Sequence, residues 1–113
     1  MDCIFCKMAS KEVAVSIIAE TAEIFVIPDL HPQAPIHYLL IPKKHIATIN
    51  DTSPQDEQLL GQMILLASKV AVEAKIVENG YRLVFDVNRG GGQAVFHIHL
   101  HLLAGRQMSW PPG

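Results

Sequence analysis

The segment FHIHLHLL, residues 96–103, places a histidine at every second position of an otherwise apolar run. Because successive side chains of an extended strand point to opposite faces, the three imidazoles are predicted to share one face. They are His97, His99 and His101. A core histidine is usually single and bonded to the backbone, so three in strict alternation indicate a chemical role.

Two kinds of chemistry fit three clustered imidazoles. Neutral imidazole is a common zinc ligand, and histidines at i and i+2 can share a metal. Alternatively, one imidazole acts as a nucleophile beside others that serve as donors or acid–base groups. The preceding run Gly90-Gly91-Gly92-Gln93 favours the second interpretation. Consecutive glycines let backbone N–H groups approach an anion such as phosphate closely.

The composition is typical of one globular domain, with 113 residues, of which 50% are hydrophobic and 18% charged. A formal net charge of −2 argues against broad nucleic-acid binding, which usually needs a basic surface. We expect neither a signal peptide nor a membrane span, because the most apolar run is short and contains Lys69. Two cysteines, Cys3 and Cys6, do not make a disulfide framework. We therefore expect a cytoplasmic protein without a membrane partner.

Runs rich in β-branched residues must position the histidines. They predict strands over 16–20, 23–28, 36–42, 81–87 and 94–103. A short helix is predicted within 4–11, and one long helix is predicted to begin at Ser53-Pro54 and to end at Asn79-Gly80. The pattern indicates an α+β domain with an antiparallel sheet of about five strands.

The long helix carries two apolar stripes by the helical repeat of about 100° per residue. The first stripe is predicted to cover the sheet and comprises Leu59, Met63, Ala67, Val70, Ala74 and Val77. The second lies on roughly the opposite side and comprises Leu65, Val72 and Ile76. A helix on a sheet needs only one such stripe, so we expect the second to be buried in a homodimer.

The segment HIHLHLL at 97–103 resembles the signature of the histidine triad (HIT) family, and the GGQ before it and GRQMSWPPG after it look like the Hint branch. IFCK, DLHPQAP, IHYLLIPKKHI and NGYRLVF follow the same pattern in order. The resemblance implies a single HIT domain over residues 1–113. It also implies a homodimeric nucleotide hydrolase that cleaves a nucleoside monophosphate from its leaving group. Hint-like members favour adenosine 5′-phosphoramidates, so a purine nucleoside phosphoramidase is expected.

The resemblance also implies roles for single residues. His99 would be the nucleophile and form a covalent nucleotidyl-imidazole, His101 would donate to a phosphate oxygen, and His37 would orient the site. Asp29 would accept hydrogen bonds from the ribose hydroxyls. The phosphate would meet Gly92 and Gln93, and the base would lie among Ile4, Phe5, Met8, Ile27 and Leu30.

Two positions depart from the Hint pattern. Ala94 stands where that branch commonly has a serine near the leaving group, and Asp86 stands where the family usually has asparagine near the active-site phosphate or ribose. An ionised Asp86 would repel phosphate and raise the pKa of nearby histidines. Asn88 is predicted on the same strand face, where it could partly substitute. We therefore expect lower turnover than in a typical Hint protein.

Some family members bind zinc through an N-terminal cysteine pair and two histidines. The matching residues here are Cys3, Cys6, His45 and His97, a set suited to tetrahedral Zn²⁺. Such a zinc would be structural, and no cofactor would be required for catalysis.

Three other functions remain open at this point. Within the family, the chain could hydrolyse dinucleoside polyphosphates. From another class, it could be a nucleotide-binding or scaffold protein with little turnover, which Asp86 and Ala94 keep open. It could also be a zinc-dependent hydrolase that uses the triad as metal ligands. Trp110 fits two roles equally well, a contact with the leaving group or an anchor in a dimer interface.

Overall fold

The structure, a computed structural model, describes residues 2–113 as one antiparallel sheet with a helix on each face. The strands are β1 (Ala19–Glu20), β2 (Ile24–Pro28), β3 (Ile36–Pro42), β4 (Tyr81–Val84) and β5 (Leu100–Ala104), in the order β1-β2-β3-β5-β4. The helices are α1 (Ile4–Ala9) and α2 (Glu57–Glu73), with 3-10 turns at Ile49–Asp51, Pro54–Asp56 and Arg89–Gly91. The predicted α+β fold is confirmed. No helix within residues 2–113 has the length and hydrophobicity to cross a bilayer.

The two faces of the sheet bury different sets of side chains. Helix α2 covers one face, where Leu40, Leu100 and Leu102 are fully buried against Met63 and neighbouring residues. The other face carries Phe25, Ile27, Leu39 and Ile41, which pack against α1. His101 pairs with Leu39 across β3 and β5 and therefore lies on this α1 face. His101 thus shares a face of the sheet with the short helix α1, and the core under α2 is apolar.

Strand β5 is shorter than predicted, because His97 and His99 lie before its first residue, Leu100. The backbone at this point bonds outside the ladder, with the Ile98 N–H donating to the Ile46 carbonyl. The alternation of faces nevertheless persists, since Ile98 and Leu100 are buried in the α2-side core. The predicted common face for the three imidazoles therefore holds without a continuous strand.

Strand β4 also ends earlier than predicted, at Val84, so Asp86 and Asn88 are loop residues. Asn88 adopts a positive φ of 62° and its side chain accepts a hydrogen bond from the Arg89 N–H. The prediction that Asn88 shares a strand face with Asp86 is therefore wrong. Its side chain caps the 3-10 turn of the glycine loop. Strand β1 likewise keeps only two of the five predicted residues.

Helix α2 begins with the predicted cap in a different form. The Ser53 side chain accepts from the Gln55 N–H, and the Asp56 carboxylate accepts from the Ser53 N–H. This capping box closes a 3-10 turn that opens with Pro54, and the α-helix starts at Glu57. The helical region therefore begins at the predicted residues, but its first turn is a 3-10 turn and not an α-helical one.

The predicted end of α2 at Asn79-Gly80 is wrong, because the helix stops at Glu73. Lys75 takes a left-handed φ of 60°, and the Ile76 N–H returns to the Ala71 carbonyl. The Lys75 N–H bonds to the Val72 carbonyl, which completes a Schellman motif without glycine. Ile76 is buried as a result, so it belongs to the core and not to the second stripe.

Candidate functional site

A cavity of about 350 Å³ opens on the α1 face of the sheet. It is lined by α1, β2, the loop after β2, the glycine loop and the histidine segment. The lining side chains and backbone belong to Ile4, Phe5, Met8, Val15, Ile27, Pro28, Asp29, Leu30, His31, Leu39, Asp86, Gly92, Ala94, Val95, His99 and His101. Most site residues expected from the sequence therefore meet at one cavity, although they come from both ends of the chain.

His99 lies on the cavity wall with one defined tautomer. Its Nδ1 lies 2.8 Å from the His97 carbonyl oxygen, which can only accept. The proton of the neutral ring is therefore on Nδ1, and Nε2 keeps its lone pair. Phe5 packs edge-on against the ring at 5.2 Å between centroids, which restricts its rotation. An oriented, unprotonated Nε2 is what a nucleophilic imidazole requires.

A one-way chain of hydrogen bonds orients His37 and His101. The Gln33 N–H donates to His37 Nδ1 over 3.0 Å, so neutral His37 carries its proton on Nε2. That nitrogen lies 2.8 Å from His101 Nδ1, which must accept. The His101 proton is therefore on Nε2, a buried atom without a hydrogen-bond partner, 3.4 Å from the Asp86 carboxylate. The chain leaves one oriented N–H donor beside the cavity.

Burial keeps both of these histidines neutral near pH 7. Desolvation lowers the pKa of His101, and the neighbouring His99 lowers it further, while Asp86 acts in the opposite direction. Desolvation also lowers the pKa of His37, against the attraction of Asp29. Each ring therefore acts as a neutral donor and acceptor at neutral pH.

These lowered pKa values predict a loss of stability in mild acid. Below pH about 6.5 these two histidines bind protons in the unfolded chain, whereas in the folded chain their lowered pKa values keep them neutral to lower pH. The free energy of unfolding therefore falls as the pH falls. We expect the urea midpoint to drop between pH 7.5 and 5.5, and to drop less in His101→Gln. Glutamine can still accept from His37 but does not titrate. An equal drop in both proteins would contradict this assignment.

Asp29 lies at the end of β2, where its backbone N–H bonds to the His37 carbonyl. One carboxylate oxygen accepts from the His31 N–H at 2.8 Å, and the other lies 3.4 Å from His37 Nε2. These contacts fix the carboxylate at the cavity wall, where it can still accept hydrogen bonds from a ligand. Leu30 beside it is 83% exposed, and Ile4 and Met8 form the wall opposite on α1.

Gln93 has a different position from the one expected. Its side-chain nitrogen donates to the carbonyls of Ala47 and Val95, and its oxygen accepts from the Asn88 N–H. The side chain is buried and does not line the cavity, whereas its neighbours Gly92 and Ala94 do. Gln93 therefore braces the glycine loop, which leaves its phosphate contact a prediction.

Five lining residues were not singled out from the sequence. They are Val15, Pro28, His31, Leu39 and Val95. The valines and Leu39 carry no signal that separates a cavity wall from a core. His31 carries a weak one, since it follows Asp29 by two residues in a turn. Trp110 is 84% exposed and does not line the cavity of its own chain.

A second cluster of functional groups lies behind His99. Cys3, Cys6, His45 and His97 each offer one ligand atom, and these atoms lie within 4.8 Å of one another. His97 Nδ1 lies 3.4 Å from Cys3 Sγ, 3.6 Å from Cys6 Sγ and 3.1 Å from His45 Nδ1. Tetrahedral zinc would separate two nitrogens by about 3.3 Å and a nitrogen from a sulfur by about 3.5 Å. The four residues therefore lie close enough to hold a metal.

The tautomer of His97 also suits a metal ligand. Its Nε2 donates to the Pro42 carbonyl at 2.7 Å, so the lone pair is on Nδ1, toward the cysteines. Burial lowers the pKa of this ring and keeps it neutral. Burial and the nearby Cys3 raise the pKa of the Cys6 thiol, an effect that a bound cation would reverse. The cluster also connects to the cavity, because the His97 carbonyl holds His99.

Comparison with known proteins identifies the family of this chain. Residues 2–110 match the protein family described as "Scavenger mRNA decapping enzyme C-term binding". The chain is 46% identical over 105 residues to a purine nucleoside phosphoramidase of Escherichia coli K12. The aligned segment covers 93% of this chain and 88% of that protein.

Two solved structures have nearly the same fold. A HIT family hydrolase from Legionella pneumophila superimposes with a TM-score of 0.97 at 54% identity, covering 99% of this chain and all of that one. A histidine triad protein from Clostridium difficile gives 0.93 at 34% identity, covering 96% and 95% of the two chains. The chain therefore belongs to the histidine triad family, as the HIHLHLL segment predicts, and it is a hydrolase of that family.

Proposed function

We propose that this protein hydrolyses purine nucleoside 5′-phosphoramidates and that AMP is the released nucleotide. The observation that carries the proposal is the His99 ring, which lines the cavity and whose Nδ1 is bonded to the His97 carbonyl, so that Nε2 keeps its lone pair. The similarity to the Escherichia coli purine nucleoside phosphoramidase supports the substrate class. The test is release of AMP from adenosine 5′-phosphoramidate, measured beside a His99→Ala control.

The reaction would proceed in two displacements. His99 Nε2 forms a bond to the α-phosphorus while the phosphorus–nitrogen bond to the leaving group breaks, and the departing nitrogen takes a proton from solvent and leaves as an amine. Water then forms a bond to the same phosphorus and gives one proton to solvent, and the bond to His99 breaks to release AMP. The His101 Nε2 proton would donate to a phosphate oxygen as charge develops there. Its lack of another hydrogen bond supports this role.

The remaining cavity residues would bind the nucleoside. Asp29 would accept from the ribose hydroxyls, and the apolar wall of Ile4, Phe5, Ile27 and Leu30 would contact the base. The Gly92 backbone and the small Ala94 leave room for phosphate and leaving group beside His99. Hydrolysis of dinucleoside polyphosphates would use the same residues, so the leaving group decides between the two activities.

We also infer that Cys3, Cys6, His45 and His97 bind a structural zinc. The distances between their donor atoms and the neutral His97 ring support this ligand set. Zinc would supply a cross-link between α1, the loop after β3 and the histidine segment. It would leave no triad histidine other than His97 bound to metal, so catalysis would depend on His99 and not on the metal.

We further propose that two copies associate through the exposed stripe of α2. Leu65 and Val72 are 71% and 62% exposed, and Ile64 beside them is 48% exposed. Exposed aliphatic clusters of this kind are typical of interfaces. We expect sedimentation of twice the 12.5 kDa chain mass at micromolar concentration, and a monomer after Leu65→Lys with Val72→Lys. A monomeric native protein would contradict the proposal.

A further inference from the structure

The cavity around His99 is lined by negative charge without a matching cation. Two carboxylates, those of Asp29 and Asp86, line it, and none of its described lining residues is a lysine or an arginine. The two carboxylate side chains are only 19% and 31% exposed, so water screens them incompletely. A phosphoramidate anion that enters this cavity therefore meets repulsion.

The histidines beside the carboxylates do not remove this charge. Asp29 lies 3.4 Å from His37, and Asp86 lies 3.4 Å from His101. Desolvation lowers the pKa of both rings, so both are neutral near pH 7. The two carboxylates thus flank a neutral histidine pair, which offers no positive charge beside them.

Asp86 is the carboxylate that lies beside the glycine loop and contacts the triad histidine next to His99. It contacts His101, whose ring centroid lies 5.0 Å from that of the nucleophile His99. Asp29 contacts His37, also lies within 4.8 Å of His101, and has the ribose as its expected partner in the proposed function. Since the nucleotide part of the substrate is always anionic, only the leaving group can bring a positive charge to Asp86.

We propose, on the basis of the proposed phosphoramidase activity, that Asp86 selects substrates whose leaving amine carries a second, cationic amino group. The structure places the Asp86 carboxylate in the cavity lining, 3.4 Å from His101, and none of the described lining residues is a lysine or an arginine. Asp86 attracts the ammonium group of such a substrate and offsets the repulsion of its phosphate.

Two adenosine 5′-phosphoramidates of equal length test this specificity. One carries an N-butyl group, and the other an N-(3-aminopropyl) group in which an ammonium replaces the terminal methyl. Their kcat/KM values are measured at neutral pH for the native protein, Asp86→Asn and Glu78→Gln. Glu78 is exposed in the turn after α2, so its variant makes the same charge change outside the cavity. Comparing the ratio between proteins cancels the different reactivity of the two amines.

We expect the ratio of kcat/KM for the aminopropyl substrate to kcat/KM for the butyl substrate to be about tenfold larger in the native protein than in Asp86→Asn. A partly exposed ion pair at short range changes such a ratio by roughly tenfold. The butyl substrate should be cleaved faster by Asp86→Asn than by the native protein, since a repulsive charge is removed. Glu78→Gln should keep the native ratio. High salt should reduce the native preference.

Equal substrate ratios in the native protein and Asp86→Asn would overturn the inference while leaving the phosphoramidase activity intact. If neither substrate is cleaved, the proposed function fails instead. The affinities of His99→Ala and of the His99→Ala, Asp86→Asn double variant for the two amidates then decide the charge preference. Tighter binding of the aminopropyl amidate that depends on Asp86 supports it, and equal binding overturns it.

Discussion

Replacing His99 with alanine should abolish the release of AMP from adenosine 5′-phosphoramidate, with kcat reduced by at least about 10³-fold. Each neutral histidine of the described triad has one ring nitrogen with a lone pair. Only the lone pair on His99 Nε2 is at the cavity and has no protein partner. His97 directs its lone pair to the cysteine cluster, and His101 directs its lone pair to His37. Neither neighbour can replace the lost nucleophile.

The control for this variant is His31→Ala, which removes an exposed imidazole from the same cavity wall. We expect its loss of activity to stay within a few-fold. Brief reaction followed by acid-free denaturation and mass spectrometry should find an adenylyl adduct on the native chain and none on His99→Ala. His99→Ala should still bind AMP, because the apolar wall and Asp29 are unchanged.

Two results would contradict this assignment. Turnover by His99→Ala comparable to that of His31→Ala would show that the nucleophile is elsewhere. No AMP release by the native protein, with AMP still bound, would favour a nucleotide-binding protein or a different leaving group. Asp86 and Ala94, the two departures from the Hint pattern, would then be the first residues to exchange.

Removal of zinc should produce the second large effect, on stability. When the free metal concentration is about 1,000 times the dissociation constant of the site, metal binding adds about 4 kcal/mol to the free energy of unfolding. For a domain of this size, that loss lowers the thermal midpoint by more than about 10 °C. We expect this change with a chelator and with the Cys3→Ser, Cys6→Ser double variant. In each case α1 loses its link to His45 and His97.

The cavity should bind ligand less well when the fold is weakened, because α1 and its N-cap residue Cys3 supply both cysteines and α1 supplies part of the apolar wall. Phe5, between the two cysteines, packs against His97 and His99. We therefore expect metal-free protein to bind AMP more weakly and to have a raised KM, while keeping a measurable kcat. This result separates a structural zinc from a zinc-dependent hydrolase, in which chelation would abolish kcat without altering the fold.

Elemental analysis of protein purified without chelator decides whether zinc is present at all. We expect about one zinc per chain in the native protein and in His31→Ala, and none in the cysteine double variant. A content well under one per native chain would refute the zinc site. The close packing of the four residues would then have to be explained by hydrogen bonds among neutral thiols and imidazoles.

The sequence by itself determined the face pattern, the family and the chemical groups of this protein. Alternation of histidine with Ile98, Leu100 and Leu102 is a local property of an extended chain, so it predicts opposite faces wherever the segment packs. The Ser53-Pro54 cap is local as well and lies at the start of the helical region. The glycine loop, the histidine triad and the cysteine pair can be recognised in the sequence for the same reason, because each is a short run of residues.

Only the tertiary structure decided where the helix and strands end and what each polar group contacts. Lys75 adopts a left-handed conformation because burial of Ile76 stabilises that turn, a packing effect that no local signal carries. The bond between His37 and His101 joins residues 64 apart in sequence, and it sets the tautomer of His101. The position of the Gln93 side chain likewise depends on the Ala47 carbonyl, 46 residues away in sequence. Hydrogen-bond partners distant in sequence are chosen by packing of the whole chain, which is why residue spacing predicts the reactive groups but not their protonation and orientation.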